Sequence, residues 1–530
     1  MTWWLAALAG PTFLAVWVAG LVDLVRRGDL AVRWKVAWAA AIVLATPLGA
    51  ALYVLTRPVP VDRVVVGRSE EPAGLVTPAD APLGLRALQQ IARMASRGLF
   101  RSVEVVRPAE VATTGPQIWL ASHFGAFSDP IVLLHALERR PRFLAKHTLW
   151  DIPVAGRILD AAGAIPVRRR HEGGGGPQAE LFEACERALQ RGEALCVFPE
   201  GMATDRTSLA PLRSGAARIA LGARARGVAG QQLVATGIHF EDKAALRRRV
   251  FVEIAGPLDL DAWLTERDVD PAAASAEDRG LVGALTAELE HRLREVAPEF
   301  HDPEEAAALH AAARIARVDE RGRPPRFAVE ADLADELGRR PAEQRAELVD
   351  AVETYRAELD AAGLTDRDVV ARPRRSRRRL LLDALVGLVL LPAAVAGIVV
   401  HAPLWALVRG TGLLRLRPIA KASLRPLIAV LGALATWIAW AWISSSGASG
   451  LDRAGAVLTW LLVLPVWGAA ALVVTERLWL LVGIVRRRRP GRRATNTLDA
   501  VRADRARVVA LVAGGPGGTH ATGEEHRRRR

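Results

Sequence analysis

Hydrophobic residues recur in two patterns, long apolar stretches near both ends of the chain and short apolar runs between residues 100 and 260. The short runs alternate with helical stretches such as 178–191 and 213–226. The predicted strands are Val103–Val106, Ile118–Ala121, Arg142–Ala145, Ala164–Val167, Leu195–Phe198, Leu233–Ile238 and Val250–Ile254. Such alternation predicts an α/β domain with a mixed sheet flanked by helices.

The long apolar stretches have the length of membrane-spanning helices, about 20 residues. Two lie at the N-terminus, at 3–25 and 34–55, and no basic segment precedes the first, which argues against a cleaved signal peptide. Three more lie at about 380–408, 427–444 and 454–475. We therefore expect membrane helices at both ends of the chain.

Basic residues predict part of the topology. Three strongly basic segments flank the C-terminal stretches, namely 372–379, 409–425 and 486–493. The positive-inside rule places all three in the cytoplasm. Segments 427–444 and 454–475 would then form a hairpin, and 380–408, interrupted by Pro392 and Pro403, would enter and leave on one side. Competing charges leave the topology of the N-terminal pair open.

The remaining segments complete the predicted domain organisation. It comprises an N-terminal two-helix membrane module (1–56), a Pro-rich linker (57–82), an α/β domain (83–260), an accessory helical region (261–371), a C-terminal membrane region (372–485) and a basic, largely disordered tail (486–530). Residues 83–99 have helical periodicity. This helix either packs on the domain surface or lies on the membrane with Arg86, Arg93 and Arg97 toward lipid headgroups.

Composition narrows the function classes. Lys and Arg number 71 against 57 Asp and Glu, a net charge of +14, and hydrophobic residues make up 51%. The excess charge lies in Arg clusters at 372–379, 486–493 and 527–530, two of which adjoin hydrophobic stretches. This distribution favours membrane phospholipids as partners and argues against nucleic acid. The only cysteines, Cys185 and Cys196, suit no metal site, and we predict no metal.

Candidate chemistry lies at the exits of two predicted strands. His123 and Asp129 follow the strand that ends at Ala121, and Phe198-Pro199-Glu200-Gly201 follows the strand that begins at Leu195. We expect these two stretches to meet in space. An imidazole oriented by a carboxylate can act as general base toward an attacking hydroxyl, so that no Ser or Cys nucleophile is needed. Taken alone, a His and an Asp at this spacing are more often structural.

Several further motifs favour a catalytic role for His123 and Asp129 over a structural one. In order and spacing, four blocks resemble the glycerolipid acyltransferase (PlsC-like) family over about residues 84–260. They are Ser122-His123 to Asp129, Gly163 to Arg168, Phe198-Pro199-Glu200-Gly201, and Pro211 to Arg218. Five residues separate His123 from Asp129, where four are commoner, and this resembles a long-spacing branch of the family. Met202-Ala203 replace the usual Thr-Arg, which puts one phosphate contact in doubt.

The resemblance implies roles for individual residues. His123 would be the general base and Asp129 its orienting carboxylate. Substrate binding would involve Gly163, Arg168, Glu200, Gly201 and Arg213, with Arg168 the first choice for the acceptor phosphate and Arg206 and Arg213 weaker choices. Glu200 has a structural alternative as a cap or ion-pair residue. No cofactor is implied, because acyl-CoA or acyl-carrier protein is the acyl donor.

The N-terminal pair, with Arg26 and Arg27 between its helices, resembles the two-helix module of phospholipase-D-type proteins such as cardiolipin synthases. That resemblance implies a membrane anchor and not phospholipase chemistry.

The expected function is a multi-pass cell-membrane acyltransferase with its catalytic domain on the cytoplasmic face. It would acylate 1-acylglycerol 3-phosphate (lysophosphatidic acid) to phosphatidic acid in phospholipid biosynthesis. The alternatives are glycerol 3-phosphate or another lysophospholipid as acceptor, or, in a different class, a non-catalytic scaffold that binds anionic phospholipids.

Overall fold

The computed structural model describes residues 64–66, 83–168 and 178–514 apart from short gaps, together with Val36, Ala39 and Ala40. The gaps are 109, 138, 153–155, 158, 161, 320–321, 323, 371–376, 448 and 488–493. The predicted N-terminal helix pair therefore lies outside the described residues except at those three positions. The chain forms two compact units, the first containing residues up to 205, 209–297 and 385–476, and the second 206–208, 298–384 and residues from 477 onward.

A single mixed sheet organises the first unit. Its strands are β1 (Val64–Val66), β2 (Ser102–Arg107), β3 (Gln117–Ala121), β4 (Arg142–Lys146), β5 (Ile165–Val167), β6 (Ala194–Val197), β7 (Gln232–Phe240), β8 (Arg249–Ile254) and β9 (Leu258–Asp259). They lie in the order β1-β2-β8-β7-β3-β6-β4-β5, and β9 pairs with β7. Strands β3 to β7 run in one direction, whereas β8 and β9 are antiparallel to β7.

The seven strands predicted from the apolar runs are all present, and the mixed α/β sheet is confirmed. The linker prediction for 57–82 is wrong at Val64–Val66, because β1 pairs in parallel with β2. Three consecutive valines favour a strand, and the many prolines nearby hide this short run.

Helices cover both faces of the sheet, and loops with two short 3-10 helices, His147–Leu149 and Pro271–Ala273, connect the elements of the described chain. The α-helices are α1 (Leu83–Leu99), α2 (Ser128–Ala136), α3 (Gln178–Gln190), α4 (Gly215–Ala225), α5 (Leu260–Thr265), α6 (Arg279–Val296), α7 (Pro303–Arg317), α8 (Phe327–Gly338), α9 (Ala342–Ala362), α10 (Asp366–Val370), α11 (Arg377–Gly410), α12 (Pro418–Ser444), α13 (Gly450–Arg487) and α14 (Ala494–Val512).

The central strand β3 divides the core between the two faces. Ile118 and Leu120 pack in one apolar cluster with residues of α3, α4 and α6. Trp119 and Ala121 pack in the other with residues of α1 and α2. This alternation is the period of two that a strand buried on both faces requires.

Helix α6 also belongs to this unit, although it lies beyond residue 260. The buried ring of His239 in β7 makes a hydrogen bond through Nε2 to the carbonyl oxygen of Val296, at 2.8 Å. A Cβ on Gly237 would clash with that same carbonyl, so only glycine allows the end of α6 to lie this close to β7. The compact unit accordingly continues to Ala297.

Helix α1 is amphipathic, but its arginines do not all face outward. Arg93 is buried, so the prediction that it reaches lipid headgroups is wrong. Ile91 and Met94 are exposed instead, at 56% and 44%. The apolar residues on the open side of α1 suit a lipid environment better than water.

The C-terminal region contains three helices long and apolar enough to cross a membrane, over Leu390–Gly410, Pro418–Ser444 and Asp452–Glu476. The prediction that 380–408 enters and leaves on one side is wrong, because α11 is one continuous helix through Pro392 and Pro403. Proline is tolerated in membrane helices when neighbouring helices support the backbone. Here a Cβ on Gly397 of α11 would clash with the carbonyl oxygen of Trp467 in α13, which shows how closely the two helices pack.

The second unit is helical and includes α7 to α10 and α14. The prediction of a disordered tail is wrong over Ala494–Val512. Val501, Val508 and Val512 recur at helical spacing and are buried in one cluster with α7, α8 and α9. The backbone carbonyls of Leu511 and Val512 accept hydrogen bonds from Arg340. The many Arg and Asp residues between these apolar positions made the segment resemble a solvated tail.

We predict that Val508→Asp destabilises α14 by about 3 kcal/mol or more, because it places an unpaired carboxylate in a packed apolar cluster. Limited proteolysis of the full chain should then cleave within 494–512 much faster than in the wild type. The matched control is Ala506→Asp, which introduces the same residue at an exposed position of the same helix. Equal cleavage of the two variants would contradict the packing of α14.

Candidate functional site

The two candidate stretches meet at the carboxyl edge of the sheet. Strands β3 and β6 are neighbouring and parallel, so the residues after Ala121 and after Val197 leave the sheet side by side. The backbone N–H of His123 donates to Oε1 of Glu200 at 2.8 Å. The His123 ring stacks on Phe198, with centroids 4.1 Å apart and planes 20° from parallel. The predicted meeting of the two stretches is confirmed.

His123 and Asp129 form a hydrogen-bonded pair. Nδ1 of His123 lies 2.8 Å from Oδ2 of Asp129, whose carboxylate is fully buried while the imidazole is 19% exposed. The N–H of Gly125 donates to both carboxylate oxygens at 3.0 Å. Burial raises the pKa of Asp129, and the hydrogen bonds from His123 and Gly125 oppose that shift. The pair leaves Nε2 as the imidazole nitrogen for an incoming hydroxyl.

The turn between the pair explains how five intervening residues still bring Asp129 back to His123. Ala126 adopts a left-handed backbone conformation with φ of 52°. The N–H of Ser128 donates to the carbonyl of Gly125 at 3.0 Å, which closes the turn and starts α2. A Cβ on Gly125 would clash with the Phe240 ring and the Asp129 carboxylate, so glycine is required there.

Glu200 braces the site through backbone hydrogen bonds. Its second oxygen, Oε2, accepts the N–H of Ala210 at 3.1 Å, so the buried carboxylate connects the turn at His123 to the loop after β6. Burial raises the pKa of Glu200, and the two N–H donors oppose that shift. This arrangement favours the structural alternative for Glu200, in the form of a brace and not of a helix cap. Gly201 follows with φ of 76°, and a side chain there would meet Arg213.

The arginine candidates lie at different places along the same edge. Arg213 packs against Gly201 and is exposed. Arg168 is also exposed but follows β5, three strands from β3 and therefore about 14 Å away across the sheet. Arg206 is exposed.

Gly163 lies at the opposite edge. It precedes β5 with φ of 65°, and a Cβ there would approach Arg140 and Arg142. The structure therefore brings Glu200, Gly201 and Arg213 together with His123 and keeps Gly163 apart from them.

Two charged residues near the site were not found from the sequence. Lys243 follows β7 on the same edge and donates to the carbonyl of Thr204 at 2.9 Å. Asp205 lies 3.6 Å from the Lys243 ammonium. Burial lowers the pKa of Lys243, while the negative charges of Asp205, Asp129 and Glu200 oppose the shift. The sequence did contain a signal for Lys243. It lies three residues after β7, at the carboxyl edge of the sheet where His123 and Glu200 also lie.

Neither the nearby hydroxyls nor the thiols provide a nucleophile. Ser122 Oγ accepts the N–H of Ile238 at 3.0 Å, and Ser128 Oγ donates to the carbonyl of Ala422 at 3.4 Å. Cys185 and Cys196 are buried and unpaired, and burial raises the pKa of the Cys185 thiol to about 12. Among the described residues, no group of three or more His, Cys, Asp or Glu could hold a metal ion.

Comparisons with known proteins show similarity over this region of the chain. Residues 102–235 match the Acyltransferase family. Lyso-ornithine lipid O-acyltransferase of Pseudomonas aeruginosa is 35% identical over 107 residues, which cover 19% of this chain and 39% of that protein. The chloroplast 1-acyl-sn-glycerol-3-phosphate acyltransferase BAT2 of Brassica napus is 28% identical over 105 residues, covering 20% and 29%. The chain thus spans less than half the length of these relatives.

Among solved structures, the chain is similar to the 1-acyl-sn-glycerophosphate acyltransferase PlsC from Thermotoga maritima. The match has 19% identity and a TM-score of 0.30, and covers 40% of this chain and 79% of that one. The comparisons do not support the resemblance of the N-terminal stretches to the phospholipase-D-type module. The family match contains both His123 and Glu200, together with strands β2 to β6 and the start of β7. Residues 102–235 are therefore the part of the chain that is similar to the Acyltransferase family.

Proposed function

We propose that the protein is a membrane-bound acyltransferase that moves a fatty acyl group from an acyl-CoA or acyl-carrier-protein thioester to the free hydroxyl of 1-acylglycerol 3-phosphate. The observation that carries this proposal is the 2.8 Å hydrogen bond between a partly exposed His123 and a buried Asp129, within the region that matches the Acyltransferase family. A buried carboxylate that fixes one ring nitrogen is the arrangement that a general base requires.

The chemistry follows from this pair. Asp129 holds the proton on Nδ1 of His123, so that Nε2 accepts the proton of the acceptor hydroxyl. The hydroxyl oxygen then bonds to the thioester carbonyl carbon, the C–S bond breaks, and the departing thiolate takes the proton from the imidazolium. The products are a diacyl lipid and a free thiol. Asp129 stabilises the positive charge on the ring between the two proton transfers.

The surroundings of His123 suit a lipid acceptor. Phe127, in the turn between His123 and Asp129, and Met202, two residues after Glu200, are exposed at 38% and 49%. Ala429 and Val430 of α12 pack against the core cluster that contains Trp119 and Ala121. The site thus adjoins a candidate membrane-spanning helix. In our proposal the acceptor comes from the cytoplasmic leaflet of the cell membrane, with its phosphate toward Arg213.

A second acceptor has its own support. The Pseudomonas relative is named for lyso-ornithine lipid, and Met202-Ala203 stand where the family usually has Thr-Arg. A site without that arginine has one cation fewer to bind an acceptor phosphate, which favours an acceptor that has no phosphate. Glycerol 3-phosphate and lyso-ornithine lipid therefore belong in the acceptor panel beside 1-acylglycerol 3-phosphate, with the lipid product identified after incubation with acyl-CoA or acyl-carrier protein. A non-catalytic scaffold would consume no thioester in any of these assays.

We predict that His123→Ala lowers acyl transfer by about 1,000-fold, because it removes the general base. Membrane insertion should be unchanged, since His123 lies outside the candidate membrane-spanning helices. The control is His291→Ala, which removes a histidine that is 71% exposed on α6. Acyl transfer at the wild-type rate by His123→Ala would refute the mechanism.

Asp129→Asn should also lower kcat, by about 100-fold or more, while the KM values change little. The amide keeps the volume of the carboxylate, but it can no longer stabilise the imidazolium or fix the tautomer by charge. Steady-state kinetics on the purified full chain measure both constants. A rise in KM with unchanged kcat would show that Asp129 acts in binding and not in orienting the base.

We predict that Arg213→Gln raises the KM for 1-acylglycerol 3-phosphate about 10-fold, the expected loss of one charge-assisted hydrogen bond, and that Arg168→Gln has a smaller effect. Arg187→Gln, at an exposed position on α3, is the control for net charge. A larger effect at Arg168 would assign the phosphate to that side of the sheet. If neither substitution discriminates phosphorylated from other acceptors, the lyso-ornithine alternative gains support.

A further inference from the structure

The first turn of α12 is capped by a side chain from the loop of the acyltransferase domain. Oδ1 of Asp205 accepts the N–H of Ile419 at 2.6 Å, and Oδ2 accepts a hydrogen bond from Nε of Arg417 at 3.2 Å. Arg417, which precedes the helix, makes no side-chain capping bond of its own. A carboxylate at a helix N-terminus satisfies an otherwise unpaired N–H and opposes the positive end of the helix dipole.

The same carboxylate also faces Lys243. The ammonium lies 3.6 Å from Oδ1 of Asp205, and both side chains are mostly shielded from water, at 17% and 21% exposure. Lys243 comes from the loop after β7, whereas Asp205 follows Gly201 in the loop after β6. Asp205 thus connects three segments, namely the loop after β6, the loop after β7 and the start of α12, a candidate membrane-spanning helix.

Neighbouring contacts reinforce this junction. Arg425 of α12 donates to the carbonyl of Ala244 at 2.5 Å and to Thr411 Oγ1 at 2.9 Å. Ser128, the residue before Asp129, donates to the carbonyl of Ala422. Helix α12 therefore contacts Ser128 and Ala244, the sequence neighbours of Asp129 and Lys243. These contacts do not involve the hydrogen bond between His123 and Asp129.

We propose that Asp205 is a positioning residue that holds the loop of Glu200 and Gly201 against the first turn of α12, so that an acceptor embedded in the bilayer reaches His123. This inference rests on the proposed function. It separates the chemical step, which belongs to His123 and Asp129, from delivery, which depends on the junction with α12. Acceptors in a bilayer then depend on Asp205, and acceptors dissolved as monomers in water do not.

The test compares two acceptors with the full-length protein reconstituted in phosphatidylethanolamine and phosphatidylglycerol vesicles. One is 1-oleoylglycerol 3-phosphate in the vesicle, and the other is 1-hexanoylglycerol 3-phosphate below its critical micelle concentration. Asp205→Asn should raise the KM for the oleoyl acceptor about 10-fold, the loss of a charged cap and its ion pairs, with the hexanoyl kinetics within about 2-fold of wild type. Asp205→Glu should restore most of the difference.

Two further variants keep the result interpretable. Arg417→Gln removes a partner that is 79% exposed and should shift the oleoyl KM in the same direction by a smaller factor. Asp350→Asn makes the same charge change on an exposed face of α9 and should shift neither acceptor. Parallel changes with both acceptors, or no change with either, would overturn the positioning role. A wild-type protein that acylates neither acceptor would instead refute the proposed function.

Discussion

A carboxylate removed from water is the constraint on which the candidate site depends. Asp129 is fully buried, and its charge is tolerated only because an imidazole and a backbone N–H donate to it. Every local feature around it serves that arrangement. The left-handed turn at Ala126 returns the chain, Gly125 leaves room for the carboxylate, and α2 begins where the hydrogen bonds of the turn end. The same burial that makes an unpaired Asp129 costly also fixes the geometry of His123.

The site is further organised by its place on the sheet. The five strands β3 to β7 are parallel and end at the same edge of the sheet. The loops that follow them therefore lie close together in space although they are far apart in the sequence. That edge also contacts the start of α12, through the hydrogen bonds of Asp205 with Arg417 and Ile419. A candidate membrane-spanning helix therefore contacts a loop that carries part of the candidate site.

Much of this could be predicted from the sequence. The strands are short apolar runs bounded by Gly, Pro or charged residues, and the pairing of His123 with Phe198-Pro199-Glu200-Gly201 followed from motifs in family order. Other features were hidden for physical reasons. Lys243, Asp205 and Arg417 come together across some 200 residues, and no local pattern encodes such a contact. The buried valines of α14 are outnumbered by charges, and the prolines of α11 read as breaks although packing with α13 tolerates them.

The two hydrogen bonds of Glu200 have a consequence for the residues that follow Gly201. Because one carboxylate accepts the N–H groups of both His123 and Ala210, it connects the loop after β3 to the loop after β6. The side chains immediately beyond Gly201 make neither of these two hydrogen bonds. Substitutions at Met202 and Ala203 therefore leave both hydrogen bonds of Glu200 in place. Under the proposed function, these two positions can change acceptor preference while His123 and Asp129 keep their geometry.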